Sequence, residues 1–146
     1  MENIVKHERI GCYGIIIKDN KICLIKKANG GYKGKLDLPG GGIEHKEDPV
    51  ETLKRELMEE AGVKVVEYKL FQVTSTNIVW EYKKDYFEDL HHIGILYTVK
   101  IESDKLKEEA DGLDSNGASW YDISLLNKKD LSPFAIYAIE NIKDNF

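Results

Sequence analysis

The segment that decides the fold runs from Gly40 to Val63 and reads GGGIEHKEDPVETLKRELMEEAGV. Asp48 followed by Pro49 is typical of a helix start, because aspartate caps the first free amides and proline fits the first helical position. Glu51, three residues after Asp48, completes a capping-box pattern, and Gly62 supplies a helix stop. The segment therefore predicts a helix that begins at Pro49 and ends just before Gly62.

Apolar side chains recur along one side of this predicted helix. With successive residues about 100° apart, four of them fall on a stripe about 80° wide, which is the expected buried face. The four are Val50, Leu53, Leu57 and Ala61. We therefore expect the helix to pack on a β-sheet through this stripe.

Three glutamates, Glu56, Glu59 and Glu60, occupy the strip beside the apolar stripe. At this spacing carboxylates are neighbours and repel by roughly a few tenths of a kcal/mol per pair. The helix dipole disfavours each of them by about 0.3–1 kcal/mol more. A solvated acidic face is one explanation. However, the strip follows a glycine-rich run, and carboxylates beside closely approaching backbone suit a hard cation such as Mg²⁺ or Mn²⁺.

Arginine is rare in this chain, so its positions are informative. Of the 21 basic residues, only Arg9 and Arg55 are arginines. Arg55 precedes Glu56, and its planar guanidinium can hold a carboxylate in a fixed orientation, which lysine cannot do. Glu47, just before the helix, is the expected partner, with an ordinary surface ion pair as the alternative reading.

The spacing of these residues resembles the Nudix box, G-x5-E-x7-R-E-U-x-E-E-x-G-U, in which U is a bulky aliphatic residue. The box would span residues 41–63, and its constrained positions are all matched, by Gly41, Glu47, Arg55, Glu56, Leu57, Glu59, Glu60, Gly62 and Val63. The preceding Leu-Pro-Gly-Gly is similar to the family's usual approach to the box. The sequence therefore resembles the Nudix (MutT-like) hydrolase family, and the order of predicted elements extends the resemblance over most of the chain.

The resemblance implies an α/β (α+β) fold, an α/β/α sandwich around a mixed β-sheet, here as one domain over residues 1–146. It also implies that water attacks phosphorus with the help of Mg²⁺ or Mn²⁺. The bond cut would be a phosphoanhydride in a nucleoside diphosphate linked to another group, such as a nucleoside triphosphate or a nucleotide sugar. A small-molecule nucleotide is therefore the expected partner.

The resemblance also assigns roles by position. The implied metal ligands are the carbonyl of Gly40 and the carboxylates of Glu56, Glu59 and Glu60. One of these carboxylates would also act as, or orient, the catalytic base, while Glu47 and Arg55 would hold the catalytic loop and helix together. The family often adds a carboxylate from outside the box. The candidates in the acidic loop are Glu108, Glu109, Asp111 and Asp114, and no motif selects among them.

The remaining segments predict strands and a closing helix. Predicted strands cover residues 9–17, 21–27, 64–82 (as two strands), 91–102 and 117–122. Residues 28–42 predict a long loop with at most a short strand, and residues 103–116 predict a loop. Residues 132–143 predict a helix with Ser132 as N-cap and Pro133 at the first helical position. The resulting order of strands, helix, strands and helix is that of a mixed α and β domain.

Asp19-Asn20 predicts a tight hairpin turn that pairs Lys18 with Lys21. Continued along both strands, this register places Cys12 opposite Lys27. Cys12 and Cys23 would then lie four residues out of register, about 13 Å apart at roughly 3.3 Å per residue. Since a disulfide needs Cα atoms within about 7 Å, we predict two buried free thiols.

Composition excludes several classes of protein. The net charge of −5 over 146 residues provides no basic field for nucleic acid. No apolar run reaches the roughly 18–20 residues of a membrane span, and the N-terminus has no secretory core. A cytoplasmic enzyme is the default expectation, and the sequence leaves a homodimer open.

Recognition of the base or sugar is left unresolved by the sequence. The aromatic candidates for stacking on a base are Trp80, Tyr82, Tyr86, Phe87 and Tyr32, although strand aromatics more often pack in a core. Lys26 and Lys27 are candidates for phosphate contact. His91 and His92 are expected to open a strand rather than bind a metal, because adjacent strand residues point to opposite faces.

Several functions remain open at this point. The substrate options are a modified nucleoside triphosphate, a nucleotide sugar such as ADP-ribose, a dinucleoside polyphosphate and, least favoured by the acidic charge, a capped RNA end. A non-catalytic nucleotide-binding regulatory domain is the alternative from another class, and the intact carboxylate set argues against it. An isomerase acting on a diphosphate is disfavoured by the short chain.

Overall fold

Strands, a helix, further strands and a second helix follow one another as the sequence predicts. The computed structural model describes residues 3–107 and 115–142. The strands are β1 (Ile4–Ile15), β2 (Ile17–Lys18), β3 (Lys21–Lys27), β4 (Leu36–Asp37), β5 (Gly40–Gly42), β6 (Val65–Lys83), β7 (Tyr86–Ile101) and β8 (Ser115–Asp122). The helices are α1 (Pro49–Ala61) and α2 (Pro133–Asn141), with short 3₁₀ turns at Ile123–Leu125 and Lys128–Asp130. In these two ranges no helix is long and apolar enough to cross a membrane.

The strands form two sheets. The first is mixed, with the order β5-β1-β7-β6, in which β1 runs parallel to β7 and antiparallel to β5. The second contains β2, β3 and β4 in that order, and β8 also pairs with β3. The predicted mixed sheet is thus confirmed, with part of the strands placed in a second sheet.

The predicted turn at Asp19-Asn20 is confirmed, but the hairpin around it is short. Both turn residues have positive φ, 51° and 61°, and Lys18 pairs with Lys21. Only β2 continues this pairing, however, because β1 belongs to the other sheet. Cys12 therefore pairs with Gly41 and Ile95, and the predicted alignment of Cys12 with Lys27 is wrong. Both cysteines are nevertheless free and buried, as predicted.

Four other predicted boundaries are corrected. Residues 64–82 do not form two strands but the single 19-residue strand β6, which bulges bend without ending its ladder to β7. The strands predicted over residues 9–17 and 91–102 begin earlier, at Ile4 and at Tyr86. The glycine-rich loop of residues 28–42 contains two short strands, β4 and β5.

Helix α1 has the predicted limits and caps. The Asp48 side chain accepts from the amide of Val50 at 3.0 Å, the capping box with Glu51 is formed, and Gly62 closes the helix with φ of 67°. Within the predicted stripe Leu53, Leu57 and Ala61 are fully buried, whereas Val50 is half-buried. The packing of α1 through this stripe is thereby confirmed.

The two helices cover opposite sides of the strands. Cys12 and Ile16 pack with α1 in one apolar cluster, whereas Tyr13 and Ile15 pack with α2 in another. Helix α2 begins as predicted, since the Ser132 side chain accepts from the amide of Ala135. This arrangement is the expected α/β/α sandwich. It leaves the C-terminal turns of α1 beside the glycine-rich segment that ends in β5.

Candidate active site

A cleft of about 440 Å³ opens between α1, the glycine-rich segment and the strands β1, β6 and β7. The three box glutamates and Gly40–Gly42 line one part of it. Arg9, Trp80, Glu88 and His92 line the part further along the sheet. The structure therefore brings the predicted carboxylates to one concave surface together with Arg9, Glu88 and His92, for which the sequence predicted no role in the site.

Arg55 ties the loop before α1 to the helix. Its guanidinium donates to both carboxylate oxygens of Glu47, from Nε at 2.7 Å and from Nη2 at 2.9 Å. Nη2 also donates to the carbonyl of Gly42 at 3.2 Å. Nη1 lies 2.8 Å from Glu56 Oε1 and 3.3 Å from Glu59 Oε2. The repulsion expected among the glutamates is thus partly offset within the site, because one guanidinium donates to both Glu56 and Glu59 as well as to Glu47.

The ion pair between Arg55 and Glu47 lowers the pKa of the Glu47 carboxyl group. Hydrogen bonds from Arg55 and then from Thr52 lower the pKa of Glu47 from 4.5 to about 2. A carboxyl group whose pKa is lower in the folded state stabilises the fold above its unfolded pKa, and that stability is lost as the pH falls through the folded pKa. Glu47→Gln should therefore be less stable than wild type at pH 7, and the difference should shrink between pH 4.5 and about 2.

Urea unfolding of both proteins across this pH range measures the effect. Glu102→Gln, at an exposed carboxylate 4.0 Å from Lys64, is the matched control and should show a much smaller change with pH. A stability difference between wild type and Glu47→Gln that stays constant from pH 5 to pH 2 would contradict the assignment.

Glu60 is a buried carboxylate aimed at the glycine loop. Its side chain accepts from the amide of Gly40 at 2.7 Å, and only 4% of the residue is exposed. Burial, with smaller contributions from Glu56 and Asp37, raises the pKa of Glu60 to about 8. Burial also raises the pKa of Glu56, although Arg55 opposes this shift. The ionised forms of both glutamates therefore lack full compensation from the protein.

Two glycines allow the loop to lie against these carboxylates. A Cβ atom on Gly41 would stand 2.5 Å from Cδ of Glu56, so any side chain there would displace that carboxylate. Gly40 has φ of 151°, and a Cβ atom there would stand 2.1 Å from the carbonyl oxygen of Cys12. The glycines are thus required by close backbone approach at the site itself.

The donor set fits a hard divalent cation. The available donors are carboxylate and backbone oxygens, which Mg²⁺ and Mn²⁺ prefer, and the buried charge of Glu60 would be offset by a cation. Within residues 3–107 and 115–142, however, no three acidic, imidazole or thiol side chains are grouped at metal-binding spacing. Glu56 and Glu59 instead contact Arg55. The four acidic-loop candidates, Glu108, Glu109, Asp111 and Asp114, lie outside the described residues.

The residues predicted to contact the base or the phosphates of a substrate fall into two groups. Tyr32, Trp80 and Lys27 line the cleft. The other candidates, Tyr82, Tyr86, Phe87 and Lys26, are not among the described residues that line it. Trp80 packs over Gly31, where a Cβ atom would stand 3.1 Å from the indole Cδ1. Trp80 therefore supports the glycine-rich loop from the side of the sheet.

His92 and Tyr32 form a connection that the sequence did not reveal. His92 lies in the middle of β7, so the prediction that the histidine pair opens a strand is wrong, although His91 does point to the opposite face. The hydroxyl of Tyr13 lies 2.7 Å from Nε2 of His92, and that of Tyr32 lies 3.2 Å from Nδ1. Burial, with Arg9 and Lys27, lowers the pKa of His92 to about 4. A neutral imidazole thus anchors the loop through Tyr32.

Four cleft residues were missed by sequence reasoning: Arg9, Tyr13, Glu88 and His92. They lie far from the box along the chain and match no local motif. The rarity of arginine was the one available signal, and it pointed to Arg9 without indicating a role.

Comparisons with known proteins found similar proteins by sequence and by structure. A family model described as the NUDIX domain matches residues 5–142. The chain is 34% identical over 122 residues to the ADP-ribose pyrophosphatase of Methanocaldococcus jannaschii, covering 84% of this chain and 66% of that protein. It is 40% identical over 72 residues to the 8-oxo-dGTP diphosphatase of Buchnera aphidicola subsp. Schizaphis graminum, covering 49% of this chain and 52% of that protein.

The solved structures extend the likeness to the fold. A MutT NUDIX hydrolase from Burkholderia pseudomallei superposes with a TM-score of 0.74 at 23% identity, covering 94% of this chain and 99% of that chain. At this identity the match concerns the fold alone. The chain spans only 66% and 52% of the lengths of the two curated relatives.

Proposed function

Because this chain belongs to the NUDIX domain family, we propose that it is a pyrophosphohydrolase dependent on Mg²⁺ or Mn²⁺. Its substrate would be a nucleoside diphosphate linked to another group, cut at a phosphoanhydride bond. The observation that carries this proposal is the convergence of Glu56, Glu59 and Glu60 with Gly40–Gly42 on one side of the cleft. The names of the two curated relatives, which give ADP-ribose and 8-oxo-dGTP as their substrates, support a small nucleotide.

We assign the catalytic roles as follows. Glu56, Glu59, Glu60 and the carbonyl of Gly40 would hold the cation, and one of the carboxylates would act as or orient the base. A bound cation would offset the charge of the diphosphate and the charge that develops at the transition state. Arg55 and Glu47 are positioning residues, since their paired hydrogen bonds and the contact to the Gly42 carbonyl join the loop to the helix.

Lys27 would meet the phosphate groups. Lys27 lines the cleft and is close enough to lower the pKa of both Glu56 and Glu60. The remainder of the cleft, from Arg9 to Trp80, would then receive the nucleoside.

A panel assay tests this function. Wild-type protein with Mg²⁺ is incubated with nucleoside triphosphates, 8-oxo-dGTP, ADP-ribose and dinucleoside polyphosphates, and products are separated by ion-exchange chromatography. We expect at least one substrate to yield two products that both end in phosphate. Cleavage of none of them, together with clear nucleotide affinity, would overturn the proposal in favour of a regulatory domain.

A further inference from the structure

Glu88 is an acidic residue on the cleft wall that the proposed catalytic roles do not use. It lies on β7 opposite Val5 of β1, whereas Gly40 lies opposite Tyr13, eight residues further along the same strand. Glu88 is therefore at the far end of the cleft from the box glutamates. Its side chain is only 17% exposed, and it lines the cleft together with Arg9 and Trp80.

Glu88 is held in a fixed orientation. Its Oε1 accepts from the indole Nε1 of Trp80 at 2.7 Å, and its Oε2 lies 2.8 Å from Nδ1 of His7. Burial alone would raise the pKa of Glu88, but these two hydrogen bonds and the nearby charge of Arg9 lower it. Glu88 is thus an ionised carboxylate whose two oxygens are both positioned by neighbours before any ligand arrives.

The charge of Glu88 restricts what can bind beside it. A phosphate group would be repelled there, because two like charges at close range in a partly buried site oppose each other strongly. An ionised carboxylate accepts hydrogen bonds only, and two oxygens that each accept one still have acceptor capacity. The group recognised is therefore a hydrogen-bond donor that is not an anion, and the positive charge of Arg9 on the same wall disfavours a cationic donor, which leaves a neutral one. Leu90 and Trp80 add apolar surface beside it.

Nucleosides carry donors of this kind. Base amino and imino groups are neutral donors, and glutamate is a known acceptor for a base amino group. Ribose hydroxyls offer the same chemistry. Arg9, on the same wall, supplies the donor that a base carbonyl or ring nitrogen would need.

We propose that Glu88, oriented by Trp80 and His7, is a specificity-determining residue that accepts hydrogen bonds from neutral donors of the nucleoside. The inference rests on the proposed function, because it takes the box glutamates to be the phosphate end of the cleft. It predicts that Glu88 determines which base or sugar is preferred, whereas the cleavage at phosphorus depends on the carboxylates of α1.

The test uses substrate pairs that differ by one donor. Guanosine and inosine nucleotides differ in the 2-amino group, adenosine and purine riboside nucleotides differ in the 6-amino group, and ribo and 2′-deoxy forms differ in one hydroxyl. Inorganic tripolyphosphate has no nucleoside. Glu88→Gln replaces one acceptor by a donor at nearly constant volume. Glu8→Gln, on the neighbouring strand at a carboxylate that is 76% exposed, is the matched control.

Wild type should prefer the donor-bearing member of at least one pair, and Glu88→Gln should lower that preference by about 10- to 100-fold in kcat/KM. The change should appear in KM, with kcat and the hydrolysis of tripolyphosphate nearly unchanged. The pair that responds tells whether the donor belongs to the base or the ribose. Trp80→Phe, which retains an aromatic ring but removes the N–H donor to Glu88, should give a smaller loss in the same pair.

Unchanged preferences in Glu88→Gln, or an equal loss on every substrate including tripolyphosphate, would overturn the inference. Equilibrium binding of the corresponding nucleosides, which carry no phosphate and cannot be hydrolysed at phosphorus, provides a readout without turnover. If wild type hydrolyses none of the substrates, the proposed function fails. In that case loss of donor preference in binding by Glu88→Gln still supports the role of Glu88, and its retention contradicts it.

Discussion

Replacing Glu60 by glutamine is expected to lower kcat by about 10²- to 10³-fold, because a proposed ligand of the cation that would offset the charge of the transition state is lost. Stability should respond in the opposite direction. Burial already disfavours the ionised carboxylate, and a glutamine oxygen can still accept from the amide of Gly40. Metal-free Glu60→Gln should therefore be at least as stable as wild type in thermal melts at pH 7.

Glu59→Gln provides an independent version of the same experiment. The side chain of Glu59 is 56% exposed and lies 3.3 Å from Arg55, so replacing its carboxylate should cost little stability. If its role is to hold a cation, turnover at saturating Mg²⁺ should still fall by orders of magnitude. The exposed control Glu102→Gln should retain normal turnover. Near-normal turnover in both Glu59→Gln and Glu60→Gln would show that the acidic strip is only a solvated helix face.

Removing divalent cations is expected to abolish turnover altogether. Without a cation, a diphosphate brought to this end of the cleft meets three glutamates, and its charge is opposed rather than offset. Activity should be lost in excess EDTA and should return when Mg²⁺ or Mn²⁺ is added above the chelator concentration. Each cation should also raise the melting temperature of wild type, because a ligand that binds only the folded state stabilises it.

The thermal shift distinguishes a bound cation from a cation carried in with the substrate. The rise in melting temperature on addition of the cation should be clearly smaller in Glu60→Gln than in wild type, since a proposed ligand of the cation has been lost. Full activity in excess EDTA, with metal-free buffers verified, would rule out the proposed dependence on a cation.

The sequence predicted helix α1 best, because residues close to each end of the helix determine where it begins and ends. The limits of α1 follow from Asp48, Pro49 and Gly62, which act within one helical turn of each end. Its buried stripe follows from helical periodicity. The box glutamates lie on this helix, so their arrival at one surface could be predicted from spacing alone.

Strand partners could not be predicted in the same way. The sequence of β1 reads as one side of a hairpin with β3, yet β1 pairs with β7, about 80 residues later, and with β5. The pairing partner of a strand depends on how both faces of the sheet pack, and no short segment of sequence encodes that packing. The same limit explains why the far wall of the cleft was missed. Arg9, Trp80 and Glu88 meet only after β1, β6 and β7 have paired.

The central claim is that water attacks phosphorus in a phosphoanhydride bond under the control of the α1 carboxylates. Turnover of the preferred nucleotide in ¹⁸O-labelled water with Mg²⁺, followed by mass spectrometry of both products, tests it most directly. We predict one labelled oxygen in the phosphate group of one product, none at the sugar carbons that bear phosphate, and a strongly reduced rate of labelling in Glu60→Gln. Label at a sugar carbon that bears phosphate, or equal labelling rates in wild type and Glu60→Gln, would contradict the claim.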